Sequence, residues 1–391
     1  MLNKPRMLTP GPTPIPDSVR LVMAQDMIHH RKPAFKAIMA ETQQRLKPLF
    51  GTAQPVLPLS CSGSGAMTAA VTNLFSAGEK VLVVEGGKFG ERWTSIARSQ
   101  GLNPVVIEVP WGQAVSPQAV ADVLSAHSDA AGILVQCSET STGAMHPVRE
   151  IAAITSKTDA LLVVDGISSV GLSPCPMDEW GVDCLLTGSQ KGLMLPPGLA
   201  LIALSERAWA KAATVTPSCF YFNLQGERKN VENNQTLFTT PVSLVVGLHE
   251  SMRLYAEAGL ENIFRKQWAL TQMTRTGVKA MGLSPLVEEG YAWGLTSVLM
   301  PEGIDASKVI AHAAEHFGVV LAGGQDHLKG RIIRIGHMGW LDWADIAAGL
   351  HAIAESFRAC GGYIGCRDYL EQALHAYHEA LSSYATDNPF A

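Results

Sequence analysis

Seven short runs of apolar residues, each continuous rather than alternating with polar residues, recur through the first half of the chain. Strands that are covered by helices on both faces show this pattern, because neither face meets water. The stretches between the runs have the length and periodicity of helices, so a strand–helix–strand unit repeats. The sequence therefore predicts an α/β fold around a mainly parallel seven-stranded sheet. The runs are 56–59, 81–84, 105–109, 132–135, 161–164, 184–186 and 199–204.

A chain of 391 residues is too long for one ordinary core, so we expect two domains after an N-terminal arm. Prolines crowd the first sixteen residues, which excludes a helix there and favours an extended backbone. The strand–helix rhythm ends near Pro241, where two long helical stretches and a second set of strands begin. The predicted parts are an extended arm at 1–20, a large domain at 21–258 and a smaller α/β domain at 259–391.

Charge and cysteine usage exclude several classes of partner. The net charge is -5 and the basic residues form no stripe, so we expect neither nucleic acid nor an anionic membrane as a partner. No stretch approaches the ~18 apolar residues of a membrane helix, and the first residues lack a secretory signal core. The 7 cysteines are dispersed and form no Cys-x-x-Cys pair, which favours reduced thiols over a metal site. We therefore expect a cytoplasmic protein that binds small molecules and no metal.

Two ionisable residues follow neighbouring predicted strands. Lys191 comes after the run at 184–186, and Asp165 ends the run at 161–164. The flanks of Lys191 are apolar, which lowers the pKa of an amine and favours Schiff-base chemistry, whereas a carboxylate can keep a pyridinium nitrogen protonated. Taken singly, the lysine could be a solvated loop residue and the aspartate a turn residue. Together they predict a site for pyridoxal phosphate.

A glycine-rich turn, Ser62-Gly63-Ser64-Gly65, joins the first apolar run to a predicted helix. Glycines let the backbone approach a phosphate closely, and free amides at a helix start favour an anion. The same kind of turn is common without a ligand. A dinucleotide site is disfavoured because Thr68 stands where its third glycine would be. The turn therefore favours a single phosphate.

Four motifs, in the expected order, resemble the class V aminotransferases, and in particular the alanine:glyoxylate and serine:glyoxylate (serine:pyruvate) branch. The resemblance runs from about Leu8 to about residue 355. It implies the fold type I of pyridoxal phosphate-dependent transferases and a homodimer with shared active sites. The motifs are Pro10-Gly11-Pro12-Thr13, Ser62-Gly63-Ser64-Gly65, Ser138-Glu139-Thr140-Ser141-Thr142-Gly143 and Gly188-Ser189-Gln190-Lys191-Gly192 with Pro196-Pro197-Gly198.

The resemblance implies roles around the cofactor ring. Lys191 would form the Schiff base, and Asp165 would pair with the pyridine nitrogen. Thr140 stands at the position that contacts the phenolic oxygen. Phe89 stands where relatives stack an aromatic ring, often tryptophan, so its smaller face should stack less well.

The resemblance also implies how the phosphate is held. Thr239 matches a threonine that reaches the phosphate of the other subunit's cofactor, and Thr236 matches less securely because relatives vary there. Within the same chain, the phosphate would be held by the glycine-rich turn and a neighbouring amide: Gly63, Ser64, Gly65 and Gln190.

The candidate for binding a substrate carboxylate is Arg334. It shares a predicted strand face with Ile332, so its charge requires a partner, and the resemblance matches it to the carboxylate-binding arginine. Arg331 is the rival. Gly11 and His29 are further candidates on the substrate side of the site. His29 replaces a glycine of relatives, in a segment expected to line the partner's site.

The resemblance implies a ping-pong transamination from alanine or serine to glyoxylate or pyruvate. Alternatives are another class V enzyme, such as an aminoethylphosphonate transaminase or a lyase, and a non-catalytic accessory subunit. A desulfurase would need a catalytic cysteine near the site, and Cys360 and Cys366 lie too close to the C-terminus. The stretch 323–339 is most similar to a cyanobacterial subgroup labelled soluble hydrogenase small subunit. Nickel and iron–sulfur centres need clustered thiolates, which these dispersed cysteines do not predict.

Overall fold

A computed structural model describes residues 3–390. The strands are β1 (Arg6–Met7), β2 (Leu57–Leu59), β3 (Lys80–Glu85), β4 (Asn103–Glu108), β5 (Gly132–Gln136), β6 (Ser138–Glu139), β7 (Ala144–Met145), β8 (Leu161–Asp165), β9 (Cys184–Gly188), β10 (Ala200–Leu204), β11 (Ser284–Pro285), β12 (Leu295–Leu299), β13 (Val319–Val320), β14 (Ala322–Gly323) and β15 (Ile332–Gly336).

The helices alternate with the strands and then dominate the C-terminal part. They are α1 (Asp17–Met23), α2 (Pro33–Phe50), α3 (Gly63–Leu74), α4 (Lys88–Ser99), α5 (Pro117–Ala126), α6 (Val148–Thr155), α7 (Met177–Trp180), α8 (Glu206–Ala212), α9 (Leu224–Val231), α10 (Val242–Ala258), α11 (Leu260–Ala280), α12 (Ala306–Phe317), α13 (Trp343–Ala359) and α14 (Tyr369–Asp387).

The central sheet has 7 strands in the order β2-β10-β9-β8-β5-β3-β4. Only β10 runs against its neighbours, and the other strands are parallel. All seven predicted runs form these strands, so the prediction of a mainly parallel α/β sheet is confirmed. Gln136 lies opposite Asp165, and Asp165 lies opposite Leu186. The carboxyl ends of β5, β8 and β9 therefore meet at one edge of the sheet.

Both faces of this sheet are buried, as the continuous apolar runs predicted. In β8, Leu162 and Val164 pack into the cluster on one face, whereas Leu161 and Val163 pack into the cluster on the other. Each such side chain contributes about 1.5–3 kcal/mol when fully buried. The two layers of helices thus hold the strand ends in fixed positions.

A second, antiparallel sheet of 4 strands forms in the C-terminal part, in the order β11-β12-β15-β14. A separate apolar cluster lies against it and includes Ile333, Ile335 and Leu350. The division at residue 259 stays a prediction, although α10 ends at Ala258 and α11 begins at Leu260.

The N-terminal arm is fastened to this C-terminal part. Arg6 pairs with Val319 in a two-stranded parallel ladder, and Leu8 is fully buried in the C-terminal cluster. The arm was predicted to span residues 1–20, but α1 begins at Asp17, because the last proline of the arm precedes it and an acidic residue stabilises the first turn. Residues 1 and 2 of the predicted arm and residue 391 of the predicted small domain lie outside the described residues. Between residues 3 and 390, no helix combines the length and apolar character needed to cross a membrane.

Candidate active site

A cavity of about 300 Å³ opens at the edge where β8 and β9 end. It also receives side chains from the start of α3, from α4 and from the N-terminal arm. Most of the residues predicted from the sequence line it: Gly11, Gly63, Ser64, Phe89, Thr140, Asp165, Gln190 and Lys191.

Lys191 lies in the loop after β9 and is buried. Its carbonyl oxygen accepts a hydrogen bond from Thr13 Oγ1 at 3.1 Å, and its Nζ donates to the carbonyl oxygen of Pro10. The pKa of the amine is lowered to about 8, mainly by burial and also by Arg334 and Arg92, whereas Asp165 acts in the opposite direction. A substantial fraction of the amine is therefore neutral near pH 8 and available as a nucleophile.

Asp165 ends β8 and is buried beside the same cavity. Its Oδ1 accepts a hydrogen bond from the amide of Ile167 at 2.8 Å. No donor within residues 3–390 forms a hydrogen bond to its Oδ2, so this oxygen can accept a hydrogen bond from a bound molecule. The pKa of Asp165 is raised to about 7, mainly by burial and also by Glu139, whereas the Ile167 amide, Arg92 and Lys191 act in the opposite direction.

Glu139 belongs to the motif 138–143, but no role was predicted for it. Its Oε2 accepts hydrogen bonds from the amides of Phe89 and Gly90, each at 3.1 Å, and Oε1 accepts one from the amide of Ser141 at 3.0 Å. Burial raises the pKa of this carboxyl, and the hydrogen bonds from Ser141, Gly90 and Phe89 act against burial. The carboxylate thus caps the first turn of α4 and positions Phe89. The structure also shows why residue 87 is a glycine, since a Cβ there would lie 2.5 Å from Glu139 Cδ.

Arg92 was also missed. It lines the cavity from α4, one turn after Phe89, and its Cζ lies 4.7 Å from the centroid of the Phe89 ring. Its Nη1 donates to Ser64 Oγ at 3.0 Å. The only signal in the sequence is its spacing of three residues from Phe89, which places both on one face of a helix.

Thr140 connects the cavity to a pair of hydroxyl groups and to the second sheet. Its Oγ1 lies 2.6 Å from Ser168 Oγ, so the two share a hydrogen bond. Its carbonyl oxygen accepts from Arg334 Nη1 at 2.9 Å. Ser168, another lining residue, was not singled out from the sequence.

The start of α3 offers hydrogen-bond donors to the cavity. The side chain of Ser62 does not cap the helix, and no acceptor within the described part of the chain binds the amides of Gly63 and Ser64. A Cβ at Gly63 would collide with Ile167 Cδ1, so any larger residue there would displace the Ile167 side chain. Gly65 does not line the cavity; its amide closes the turn by donating to Ser62 O at 2.8 Å.

These residues fit pyridoxal phosphate. Gln190 Oε1 is buried and has no hydrogen-bond partner in residues 3–390, which leaves this amide unsatisfied beside the cavity. Free helix amides, a hydroxyl and a guanidinium meet the needs of a phosphate at one end. At the other end of the cavity, an amine with a lowered pKa can react with an aldehyde, and a buried carboxylate can pair with a ring nitrogen.

Arg334 reaches towards this site from β15. It is half-buried, its Nε donates to Gly323 O at 2.8 Å, and burial lowers its pKa while Glu139 acts in the opposite direction. No carboxylate in the described chain forms a salt bridge with it, so the guanidinium retains capacity for an acid group. Arg331, the rival from the sequence, is exposed and immediately precedes β15.

Five predicted residues do not line the cavity of the single chain: Gly65 and Arg334, described above, and His29, Thr236 and Thr239. His29 and Thr239 are exposed, and Thr236 is buried with its Oγ1 donating to Phe238 O at 2.8 Å. Arg31, for which no role was predicted, donates to Thr236 O at 2.6 Å. This bond connects the segment that carries His29 to the segment that carries Thr236 and Thr239.

All 7 cysteines, which lie within the described residues, are free thiols. No group of three histidine, cysteine, aspartate or glutamate side chains between residues 3 and 390 could hold a metal ion.

Comparisons with known proteins agree with this geometry. A family model described as aminotransferase class V matches residues 20–331. The "Soluble hydrogenase, small subunit" of Synechococcus sp. (strain PCC 6716) is 39% identical over 356 residues, which covers 90% of this chain and 93% of that protein. The serine–glyoxylate aminotransferase of Methylorubrum extorquens is 34% identical over 400 residues, covering 98% and 97%. The crystal structure of the ureidoglycine–glyoxylate aminotransferase of Bacillus subtilis has a TM-score of 0.92 at 28% identity, covering 97% of this chain and 99% of that one.

Proposed function

Since this chain belongs to the class V aminotransferase family, we propose that it transfers the amino group of alanine or serine to glyoxylate or pyruvate. It is a pyridoxal phosphate-dependent aminotransferase of fold type I. The proposal concerns the substrates and the roles of the residues. The observation that carries it is that Lys191 and Asp165 line one cavity, while Arg334 donates a hydrogen bond to Thr140, which lines the same cavity.

The size of the cavity supports a small donor. A space of about 300 Å³ that also holds the cofactor leaves little room for a substrate side chain. Glyoxylate occurs in the names of both aminotransferases compared above, whereas their donors, serine and ureidoglycine, differ. These names therefore support glyoxylate as the acceptor more strongly than they support any one donor.

When bound, pyridoxal phosphate supplies an aldehyde for the substrate amine and a ring that withdraws electrons from the substrate carbon. We assign the proton transfers to Lys191 Nζ, because its lowered pKa lets it accept and return a proton near neutral pH. Asp165 Oδ2 would hold a proton at the ring nitrogen. Arg334 would bind the α-carboxylate and so fix the reacting carbon, and Thr140, which shares a hydrogen bond with Ser168, would donate to the phenolic oxygen.

A shared site is supported by three of the residues that lie outside the cavity: His29, Thr236 and Thr239. We propose a homodimer in which Thr239, and less securely Thr236, reach the phosphate bound by the other subunit, with His29 near the partner's substrate. Exposure of Thr239 and His29 in the single chain supports this arrangement. We also retain the division into an arm, a large domain at 21–258 and a small domain at 259–391. A cytoplasmic location is supported by the free thiols.

The first experiment asks whether the cofactor binds Lys191. The protein supplied with pyridoxal phosphate should gain the absorption band of a lysine-bound cofactor, and borohydride followed by peptide mass analysis should locate the bond at Lys191. Lys191→Ala should lose the band. Lys266→Met should keep it, since burial also lowers the pKa of Lys266 but this residue is outside the cavity. If the wild-type protein gains no band, it is an accessory subunit and the proposal fails.

The second experiment identifies the substrates. Single amino acids are tested for their ability to bleach the band, and single 2-oxo acids for their ability to restore it. Alanine or serine should bleach it, and glyoxylate or pyruvate should restore it. A response to aminoethylphosphonate alone would assign the other transaminase activity, and release of product without a need for a 2-oxo acid would assign a lyase.

A further inference from the structure

Arg92 occupies a special place among the charged residues of α4. Its side chain lines the cavity, its Nη1 donates to Ser64 Oγ at 3.0 Å, and its guanidinium lies over the ring of Phe89. Ser64 is the second residue of α3, so the guanidinium lies beside the positive end of that helix. Two sources of positive potential therefore meet at one end of the cavity.

This positive charge is not neutralised within the described chain. Lys88, on the same helix, forms salt bridges with Glu91 and with Asp326. Arg92 is half-buried and forms none with any carboxylate in residues 3–390; its polar partner is the neutral hydroxyl of Ser64. A half-buried cation beside unpaired helix amides is unfavourable unless an anion binds there.

The electrostatic influence of Arg92 extends across the cavity. It lowers the pKa of the Lys191 amine and also that of Asp165, so it lies close enough to act on both. An anion bound to Arg92 would weaken both effects. The geometry and charge of this end of the cavity thus call for an anion that stays bound while the chemistry proceeds at the other end.

We propose that Arg92 binds the phosphate of the cofactor together with the start of α3, and that it holds Phe89 in place from the same position. This inference rests on the proposed function. A guanidinium presents several N–H donors, so it can keep its bond to Ser64 and still donate to phosphate oxygens. It also explains how a phenylalanine serves where a larger ring is common in relatives, because the cation fixes the position of the smaller ring.

The other role open to a cavity arginine is binding the side-chain carboxylate of a dicarboxylic donor. The contacts favour the phosphate. Arg92 bonds to the second residue of α3, beside free backbone amides, whereas Arg334 bonds to Thr140. The two guanidinium groups are therefore anchored to different parts of the cavity wall, and a substrate carboxylate is assigned to Arg334.

The test compares two forms of the cofactor that differ only in the phosphate. Cofactor-free wild type and Arg92→Gln are titrated with pyridoxal phosphate and, separately, with pyridoxal, and the absorption of the lysine-bound form reports binding. Arg92→Gln should weaken the binding of pyridoxal phosphate by about 10- to 100-fold, as expected for losing a charged hydrogen bond. It should change the affinity for pyridoxal by less than about 3-fold. The affinity of Arg92→Lys for pyridoxal phosphate should lie between those of wild type and Arg92→Gln, because lysine keeps the charge but lacks the planar set of donors of a guanidinium.

Arg228→Gln is the matched control. Arg228 lies over the ring of Trp209 at the same 4.7 Å, but it is paired with Glu232 and does not line the cavity. Its loss should leave both titrations unchanged. The melting temperatures of the cofactor-free variants, compared with that of cofactor-free wild type, show whether each variant is folded.

If folded Arg92→Gln binds pyridoxal phosphate and pyridoxal more weakly by the same factor, the inference is overturned, because Arg92 would then act only through Phe89. If Arg92→Gln keeps its affinity for both pyridoxal phosphate and pyridoxal but its activity with aspartate falls relative to that with alanine, the inference is overturned. Arg92 would then bind the side-chain carboxylate of the donor. A wild-type protein that binds neither compound through Lys191 overturns the proposed function and this inference with it. These results are distinguishable because only the last concerns the wild type.

Discussion

Arg334 Nη1 donates a hydrogen bond to the carbonyl oxygen of Thr140 at 2.9 Å, which ties the second sheet to the loop that follows β6. Arg334 belongs to the strand β15, whereas the side chain of Thr140 faces the cavity beside Ser168. A carboxylate that binds the guanidinium would therefore lie between β15 and the loop after β6. The position of β15 relative to this loop would then determine where a substrate acid group binds.

Arg334→Gln should raise the KM for the amino donor by about 10- to 150-fold, because a hydrogen bond to a charged group contributes about 1.5–3 kcal/mol. Steady-state kinetics with a series of donor concentrations measures this, and the absorption of the bound cofactor should not change. Arg331→Gln is the control, since Arg331 is exposed and immediately precedes the same strand. Similar effects of both substitutions would mean that general positive charge, rather than a specific carboxylate site, attracts the donor.

Asp165→Asn should stabilise the cofactor-free protein at pH 8 and nearly abolish transamination. The folded carboxyl has its pKa raised to about 7, so between its ordinary pKa and 7 the folded state binds more protons than the unfolded state. Stability of the cofactor-free wild type therefore falls as the pH rises through this window. The amide keeps an acceptor for the Ile167 amide without the buried charge, and the gain at pH 8 should be about 2–4 kcal/mol.

Urea unfolding of both cofactor-free proteins at pH 4.5 and pH 8 measures this gain. The wild-type carboxyl is mostly protonated in the folded state at the lower pH, so the difference between the proteins should be small there. A gain of the same size at both pH values would assign it to packing rather than to charge.

The rate at which cofactor-free protein binds pyridoxal phosphate through Lys191 should rise with pH and level off above about pH 8. Only the neutral amine attacks the aldehyde, and burial with Arg334 and Arg92 lowers its pKa. Stopped-flow absorption across pH 6–10 measures the midpoint. Arg334→Gln should move it upward, because one of the cations that disfavour the ammonium form is removed. A rate that still rises at pH 10 would show that the amine titrates like an ordinary lysine.

Gly11→Ala should weaken cofactor binding. A Cβ at Gly11 would lie 2.7 Å from Lys191 Nζ, and its φ of +110° disfavours any side chain. Gly303 is a matched control because its φ is +86° but no atom lies within 4 Å of its Cβ. Gly303→Ala should therefore lower the melting temperature modestly without changing the titration with pyridoxal phosphate. If Gly11→Ala binds the cofactor like wild type, the arm does not confine Lys191.

The central sheet and the edge that carries Asp165 and Lys191 could be predicted because continuous apolar runs identify buried strands. In a parallel sheet the carboxyl ends of neighbouring strands lie together, so their polar residues converge. The strand β1 could not be predicted in this way, because its two residues pair with β13, more than 300 residues later in the chain. A ladder this short leaves no periodicity in the sequence.

Glu139 and Arg92 could not be assigned from the sequence for a different reason. Each is a charged residue of a type that is usually solvated, and its role depends on contacts with a distant segment. Glu139 accepts from the amide of Phe89, 50 residues away, and Arg92 donates to Ser64, 28 residues away. Such contacts follow from tertiary packing rather than from local pattern. They also supply the electrostatic environment of the cavity, so the sequence predicted the reacting groups better than their surroundings.

A shared active site predicts that two inactive variants restore activity together. Thr239 is exposed in the single chain, so Thr239→Arg should fold but block the phosphate site of the partner. Lys191→Ala should be inactive in its own site while still providing Thr239. In a mixed dimer, the site with an intact Lys191 receives an intact Thr239, and the other site has both defects. Equal co-expression should therefore give about one quarter of wild-type activity, since half the dimers are mixed and half their sites are intact. Mixed dimers isolated with two different tags and found inactive would place Thr239 outside the partner's site.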